Sequence, residues 1–267
     1  MNSNVWKATF ALVILVGSIG AYFYWQQTAP KPEVLVKAPP PSIPATPKPE
    51  APQVIEEAPA AKAPLPQLAE SDSFVVDSLA GLIRNKSLMK LFHTERIIRN
   101  LVVTIDNLPR MKLQLSMLPV EQPAGRFISA GSEDSLTIGQ NNAARYTPYV
   151  NLAEAIDVKK LVELYVRLYP LFQQAYQEVG YPNKYFNDRL IEALDDLLDA
   201  PDIKEPVKLV QPQVLYQFAD PALEELSIGQ RILMRTGSKN EAKLKARLLA
   251  IKKELNLHMH EKKIGQL

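Results

Sequence analysis

From Leu68 onward apolar residues recur every three to four positions, a spacing that predicts helices. The strongest pattern lies in the middle, at 161–198. Leu161, Leu164, Leu168, Leu171 and Ala175 share one row, with Tyr165, Tyr169, Phe172 and Tyr176 in a second row beside it. Together they span roughly 160°, wider than one packed side requires. The tyrosines sit on a flank where each ring is buried while its hydroxyl reaches water or a partner. Pro170 falls opposite these rows and predicts a kink. Gly180 suits a left-handed helix end, and Pro182 blocks continuation. In a second helix Phe186, Leu190, Leu194, Leu197 and Leu198 face one way, and Glu192, Asp195, Asp196 and Asp199 the other. Asn187 lands on the apolar arc. An unpartnered buried amide costs ~1–3 kcal/mol, so a hydrogen bond to a neighbouring helix or loop is expected.

The flanking segments follow the same logic. Ser71-Asp72 reads as the N-cap of a helix carrying Phe74, Val75, Leu79, Leu82 and Ile83. A short helical piece is expected at 88–92. Thr94 reads as the cap of a helix with Ile97, Ile98, Leu101, Val102, Ile105 and Leu108 on one face, ended by Pro109. Residues 126–129 and 135–138 flank a Gly-Ser-Glu-Asp turn and predict a small β-hairpin. Helix restarts at Asn141 or Asn142, and Asp157 caps the central pair. Residues 207–210 are extended. Asp220-Pro221 starts a helix, another runs from Ile228 to Met234, and Ser238 with Glu241 has capping-box spacing for a last helix bearing Leu244, Leu248, Ile251 and Leu255.

The first third reads differently. Ala8 to Trp25 is an uncharged apolar run just long enough to span a bilayer, with Lys7 at one end and aromatic residues at both. A cleaved signal peptide competes, since Ser18 and Gly20 have small-x-small spacing. The apolar character continuing into Tyr22–Trp25 favours an uncleaved anchor. The stretch 26–67 is rich in proline and alanine and cannot build a core, so it reads as a disordered linker. In polyproline II form it would reach on the order of 100 Å. The expected organisation is a short head at 1–7, a transmembrane anchor at 8–25, the linker at 26–67, a helical domain at 68–257 and a frayed tail at 258–267. The fold class is mainly α with a small β-hairpin.

Composition narrows the chemistry. The chain of 267 residues has no cysteine, which removes disulfides and thiol catalysis. A net charge of +2 argues against general nucleic-acid binding. Residues 184–225 hold ten acidic against four basic side chains, and 231–263 hold ten basic against three acidic. The two surfaces are expected to complement each other or to be simply solvated, with a partner-binding or lipid-headgroup role for the basic end as the alternative. Three histidines are too few for a persuasive metal site, and no phosphate loop or Gly-x-Ser-x-Gly motif is present. No cofactor or metal is expected.

Several blocks carry a resemblance. Leu65–Asp72, Thr104-Ile105-Asp106-Asn107-Leu108-Pro109-Arg110, Arg145-Tyr146-Thr147-Pro148-Tyr149-Val150 and Leu168–Phe172 are four of them. Gly180-Tyr181-Pro182 with Tyr185–Arg189, Phe218–Pro221 and Ser227–Gln230 complete the set. Over roughly 65–255 the chain resembles the bacterial family known as domain of unknown function 3014. The resemblance implies an envelope-associated, membrane-anchored protein with no established activity. The expected location is then the bacterial inner membrane, single-pass, with the C-terminal domain periplasmic.

Two functional readings follow. In the first, the protein is a tethered interaction module that binds an envelope protein or peptidoglycan. Its candidate ligand-binding residues are Arg145, Tyr146, Tyr149, Tyr169, Tyr181, Asn187 and Arg189, where rings stack on a glycan or peptide and arginines take a carboxylate. The bland counterpart is a tyrosine-rich core with Arg189 paired to Asp106 or Asp220. In the second, an envelope hydrolase uses Asp106 and Asp188 as paired carboxylates, which must face one open cleft roughly 5–10 Å apart. If either is locked against an arginine in a closed core, that reading loses its basis.

Overall fold

A computed structural model describes residues 53–55, 64–83, 85–132, 135–203 and 206–261. The expected membrane span at 8–25 and most of the linker lie outside them. Among the described residues no helix is long and apolar enough to cross a membrane.

The domain is mainly helical. Its helices are α1 (Asp72–Leu82), α2 (Lys86–Met89), α3 (Ile97–Asn107), α4 (Thr147–Ala155), α5 (Val158–Val179), α6 (Phe186–Leu198), α7 (Pro221–Glu224), α8 (Ile228–Arg235) and α9 (Ser238–Leu257). Helix α5 is the axis, with α3, α6 and α9 packed around it. Its two apolar rows explain why it is covered on several sides. Leu168, Leu171, Phe172, Ala175 and Tyr176 join Val75, Ile97, Ile98, Val102 and Phe186 in one core. Val162, nearer its start, joins Leu194 and Leu255 in another. The helix runs unbroken through the exposed Pro170.

Strands are short and antiparallel. The expected hairpin pairs β2 (Ser129–Ala130) with β3 (Thr137–Ile138). A second hairpin, which the sequence pattern does not announce, pairs β4 (Leu209–Val210) with β5 (Gln217–Phe218). The hairpins are joined, since Ile138 N donates to Val207 O and Leu209 N to Leu136 O. Val207, Leu209, Phe218 and Met234 make a third core beneath them. Within the stretches read as linker and tail, β1 (Gln53–Ile55) pairs with β6 (Met259–Glu261).

Asn85, Asp157, Asp220 and Ser227 cap their own helices, but other helix ends are satisfied across the fold. Asp72 caps a distant helix: its Oδ1 accepts from Ile97 N at 3.0 Å and its Oδ2 from Arg96 N at 2.6 Å. Thr94 is thereby displaced from the capping role expected of it. Arg96, held by that bond, has a left-handed φ of 49°. The start of α9 also differs from expectation. Its cap is Gly237, and Glu241 turns inward to 2% exposure, 3.3 Å from Lys245 Nζ. Burial raises the Glu241 carboxyl pKa, and Lys245 opposes the shift.

The termini of α3 and α8 complete each other. A helix start carries unpaired N–H groups and a helix end unpaired carbonyls. Here Gly229 N donates to Leu108 O at 2.9 Å and Ile228 N to Arg110 O at 2.6 Å. Such close approach needs Gly229, because a Cβ there would lie 3.0 Å from Leu108 O and 2.8 Å from Leu197 Cδ2. Gly229→Ala is therefore expected to destabilise the domain by ~1–3 kcal/mol in chemical denaturation. An unchanged midpoint would show that the two ends are not tightly docked.

The first and second cores leave a gap. A half-open cavity of about 250 Å³ lies among Leu79, Leu101, Leu161, Leu164, Tyr165 and Ile251.

Candidate functional site

Asp106 is the centre of the most elaborate polar cluster. It occupies the last turn of α3, where Pro109 prevents the helix from continuing and leaves carbonyls to be satisfied. Its carboxylate is 7% exposed. Oδ1 accepts from Arg189 Nε at 3.0 Å, and Oδ2 accepts from Arg110 Nη2 at 2.8 Å and Tyr181 Oη at 3.1 Å. The carbonyl oxygen of Asp106 accepts from both Arg110 Nε and Arg189 Nη2. Tyr181 also accepts from Arg110 at 2.7 Å. Its ring stacks on Tyr176 with centroids 4.5 Å apart.

The two arginines contribute unequally. Arg189 is 12% exposed and Arg110 48% exposed. Removing the anion would leave Arg189 desolvated, at a cost of roughly 3–5 kcal/mol for a buried pair. The solvent-facing Arg110 pair is worth far less. Arg189 Nη1 also reaches Glu192 at 2.6 Å.

Above this cluster lies a surface depression of about 430 Å³, where Asp106, Tyr181, Asp188 and Arg189 meet Lys184 and Tyr185. Asp188 is exposed, yet desolvation by the surrounding protein raises its carboxyl pKa. Asp106 and Asp188 thus share one depression, as the hydrolase reading requires. Asp106 is nevertheless engaged on both oxygens by three donors. It is locked against an arginine, though on the floor of an open depression rather than in a closed core.

The remaining candidates are dispersed. Arg145 binds the loop before β2: it donates to the carbonyls of Pro123, Ala124 and Gly125 and to Asn142 Oδ1. Tyr146 lies under the Arg145 guanidinium, 5.7 Å from its ring centroid. Tyr149 donates to Glu121 O at 2.8 Å, which fastens α4 to the same loop. Tyr169 donates to Gln173 Oε1 at 3.1 Å, and that oxygen also accepts from Phe186 N. Asn187 is fully buried. Its Oδ1 takes the Tyr165 hydroxyl at 2.5 Å, while its amide nitrogen has no partner. Of the seven candidate ligand-binding residues, only Tyr181 and Arg189 line the depression.

Arg110, Lys184 and Glu192 are depression residues that sequence reasoning did not single out for binding, whereas Tyr185 belongs to the run of clustered tyrosines. Arg110 carried a usable signal, four residues beyond Asp106 at a helix end, where such pairs face each other. Lys184 carried none beyond adjacency to the Gly-Tyr-Pro turn. The charge asymmetry resolves as internal complementarity: Lys245 pairs with Asp202, Lys252 with Asp195 and Arg231 with Glu224. No group of three or more potential metal ligands occurs among the described residues.

The family described as "Protein of unknown function (DUF3014)" matches residues 97–252, from α3 into α9. The chain belongs to this family. No curated protein and no solved structure matches it. The family region includes Asp106, both of its arginines and the docked ends of α3 and α8. Helix α1, with the capping Asp72, precedes it.

The tyrosines give a direct readout of the site. Burial pushes the phenols of Tyr169 and Tyr176 up to about 12 from an ordinary 10.0. The Asp188 charge adds to the first and the Asp106 charge to the second. A raised folded-state pKa stabilises the protein below the unfolded value of about 10, and that contribution is lost as pH rises through about 12. Ultraviolet titration should show both phenols ionising near 12, with unfolding setting in over that window. Asp188→Asn should lower the Tyr169 value. Ionisation of both near pH 10 would mean these rings are solvated.

Proposed function

We propose that the protein is a membrane-tethered interaction module of the bacterial cell envelope. It binds an envelope protein or a cell-wall component at the depression above Asp106, and its C-terminal domain is periplasmic. One observation carries the reading: Lys184 and the 41%-exposed Tyr185 stand on the rim of a depression whose floor is fixed by a buried ion pair. An exposed ring, with a cation over the Tyr181 face at 5.6 Å, on a rigid base suits recognition of a peptide or glycan surface. The binding residues are then Tyr181, Lys184, Tyr185 and Asp188. Arg189 serves as a positioning residue rather than a carboxylate clamp.

The apolar run at 8–25 and the proline-rich stretch after it support a tether, which would let the domain sample partners on the order of 100 Å from the bilayer. The hydrolase alternative retains one supporting observation, the position of Asp188 beside Asp106 with a raised pKa. Its weakness is the committed Asp106.

A photo-crosslinking amino acid at Tyr185 of the full-length chain, in native membranes, separates the readings. The expected result is a discrete protein or peptidoglycan adduct, absent when the same group replaces the exposed Glu163 of α5 and reduced by Lys184→Glu. Cleavage of purified glycan strands by the parent chain but not by Asp188→Asn would instead favour the enzyme. An identical adduct pattern at both positions would remove the depression as the binding site.

A further inference from the structure

The apolar cavity between the first and second cores has a chemistry unlike that of the Asp106 depression. Its walls come from α1, α3, α5, α6 and α9, and every lining residue except Tyr165 is wholly apolar. The Tyr165 hydroxyl is committed to Asn187 at 2.5 Å, so it has no proton to offer an occupant. The cavity is half-open, and its lining offers water none of the two to four polar partners that hold it in place, so an apolar occupant displaces only weakly held water. At about 250 Å³ it has room for a hydrocarbon. Val75, Val162, Leu168 and Leu255 are buried around it, so their side chains already have fixed places and do not collapse into the space.

A second surface feature begins within a turn of the cavity along the same helices. The cavity takes Leu79 from α1, Leu161 from α5 and Ile251 from α9. A broad depression of about 1040 Å³ takes Leu82, then Val158 to Lys160, then Lys253 from those three. Two of its three acidic residues are already engaged. Glu154 pairs with Lys243 and Asp157 caps α5 through Lys160 N, while Glu254 lies 3.7 Å from His258, an ion pair only when that imidazole is protonated. Arg247 is used on the carbonyls of Ala153 and Ile156. Lys159, Lys160 and Lys253 are exposed and form no ion pair among the described residues. An apolar cavity beside uncommitted cations has the polarity of an anionic amphiphile.

We propose that the cavity holds one unbranched alkyl chain of an anionic amphiphile, a fatty acid or an acidic phospholipid, with its head beside Lys159, Lys160 and Lys253. The chain replaces the missing packing between the two cores, and the lysines select the charge of the head. Binding therefore couples α1, α5 and α9.

The test uses the full-length chain in membranes and three photoreactive probes with a diazirine at the end of the alkyl chain. They are dodecanoic acid, dodecanol and a phosphatidylglycerol bearing the same chain. The acid should label Leu101, Leu161, Leu164 or Ile251, as read by peptide mass spectrometry. Filling the cavity with Leu164→Phe should abolish those adducts and leave adducts elsewhere unchanged. Replacing the three lysines together (Lys159→Gln, Lys160→Gln, Lys253→Gln) should weaken labelling by the acid about tenfold and leave dodecanol unaffected. These lysines are exposed, so that variant decides the matter even if Leu164→Phe does not fold. Cavity labelling by phosphatidylglycerol identifies a membrane lipid as the source, and labelling by the acid alone identifies a free fatty acid. Adducts confined to residues outside the cavity, or cavity adducts unchanged in both variants, overturn the proposal.

Discussion

The carboxyl end of α3 is the constraint on which the arrangement depends. Three successive alternate carbonyls there, those of Asp106, Leu108 and Arg110, accept donors from outside their own helix. Arg189 supplies one from α6, and Gly229 with Ile228 supplies the others from the start of α8. The Asp106 carboxylate adds a charge at the same point. A helix end left unsatisfied in a protein interior is costly. This segment resolves that cost by gathering the beginnings of two other helices. Position and polarity of α6 and α8 follow from it, and with them the floor of the depression that carries Lys184 and Tyr185.

The rest of the domain repeats the device at lower stakes. Asp72 caps α3 from α1, Arg145 gathers the carbonyls of the 123–125 loop, and Arg247 takes those at the end of α4. Much of the polar and aromatic content that suggests a binding groove in the sequence is thus spent on holding backbone in place. What stays exposed at the two surface depressions includes Tyr185, Lys184, Asp188, the two lysines at the start of α5 and Lys253 on α9. Functional readings rest on these, not on the density of tyrosines.

The helices were legible because their apolar residues keep a 3.6-residue period, as α5 and α6 show most clearly. Asn187 was legible as a buried amide for the same reason, since periodicity places it between apolar neighbours. Local chemistry also set the start of α7, where Asp220 Oδ1 accepts from Ala222 N. Caps supplied from elsewhere were not legible. Nothing near Ile97 announces that its N–H is met by Asp72, twenty-five residues earlier. Nor does Glu241 announce that it turns inward instead of back to its cap. The β4–β5 hairpin is too short for alternation to register. At the site, a pairing of Arg189 with Asp106 was one of two partners the sequence allowed. Arg145 and Tyr149 do not join it, because proximity in sequence carries no information about which helix face a residue shares with a distant one.

A double-mutant cycle in chemical denaturation tests the central constraint most directly, with Asp106→Asn and Arg189→Met measured singly and together. Each single change should destabilise the domain by roughly 3–5 kcal/mol, because each takes the most buried partner from a charged group. The contacts that remain, Glu192 for Arg189 and Arg110 with Tyr181 for Asp106, lie nearer solvent. The double variant should fall short of the sum by at least ~2 kcal/mol. Additivity within a few tenths of a kcal/mol would contradict the account, since it would mean that Asp106 and Arg189 do not hold α3 and α6 together.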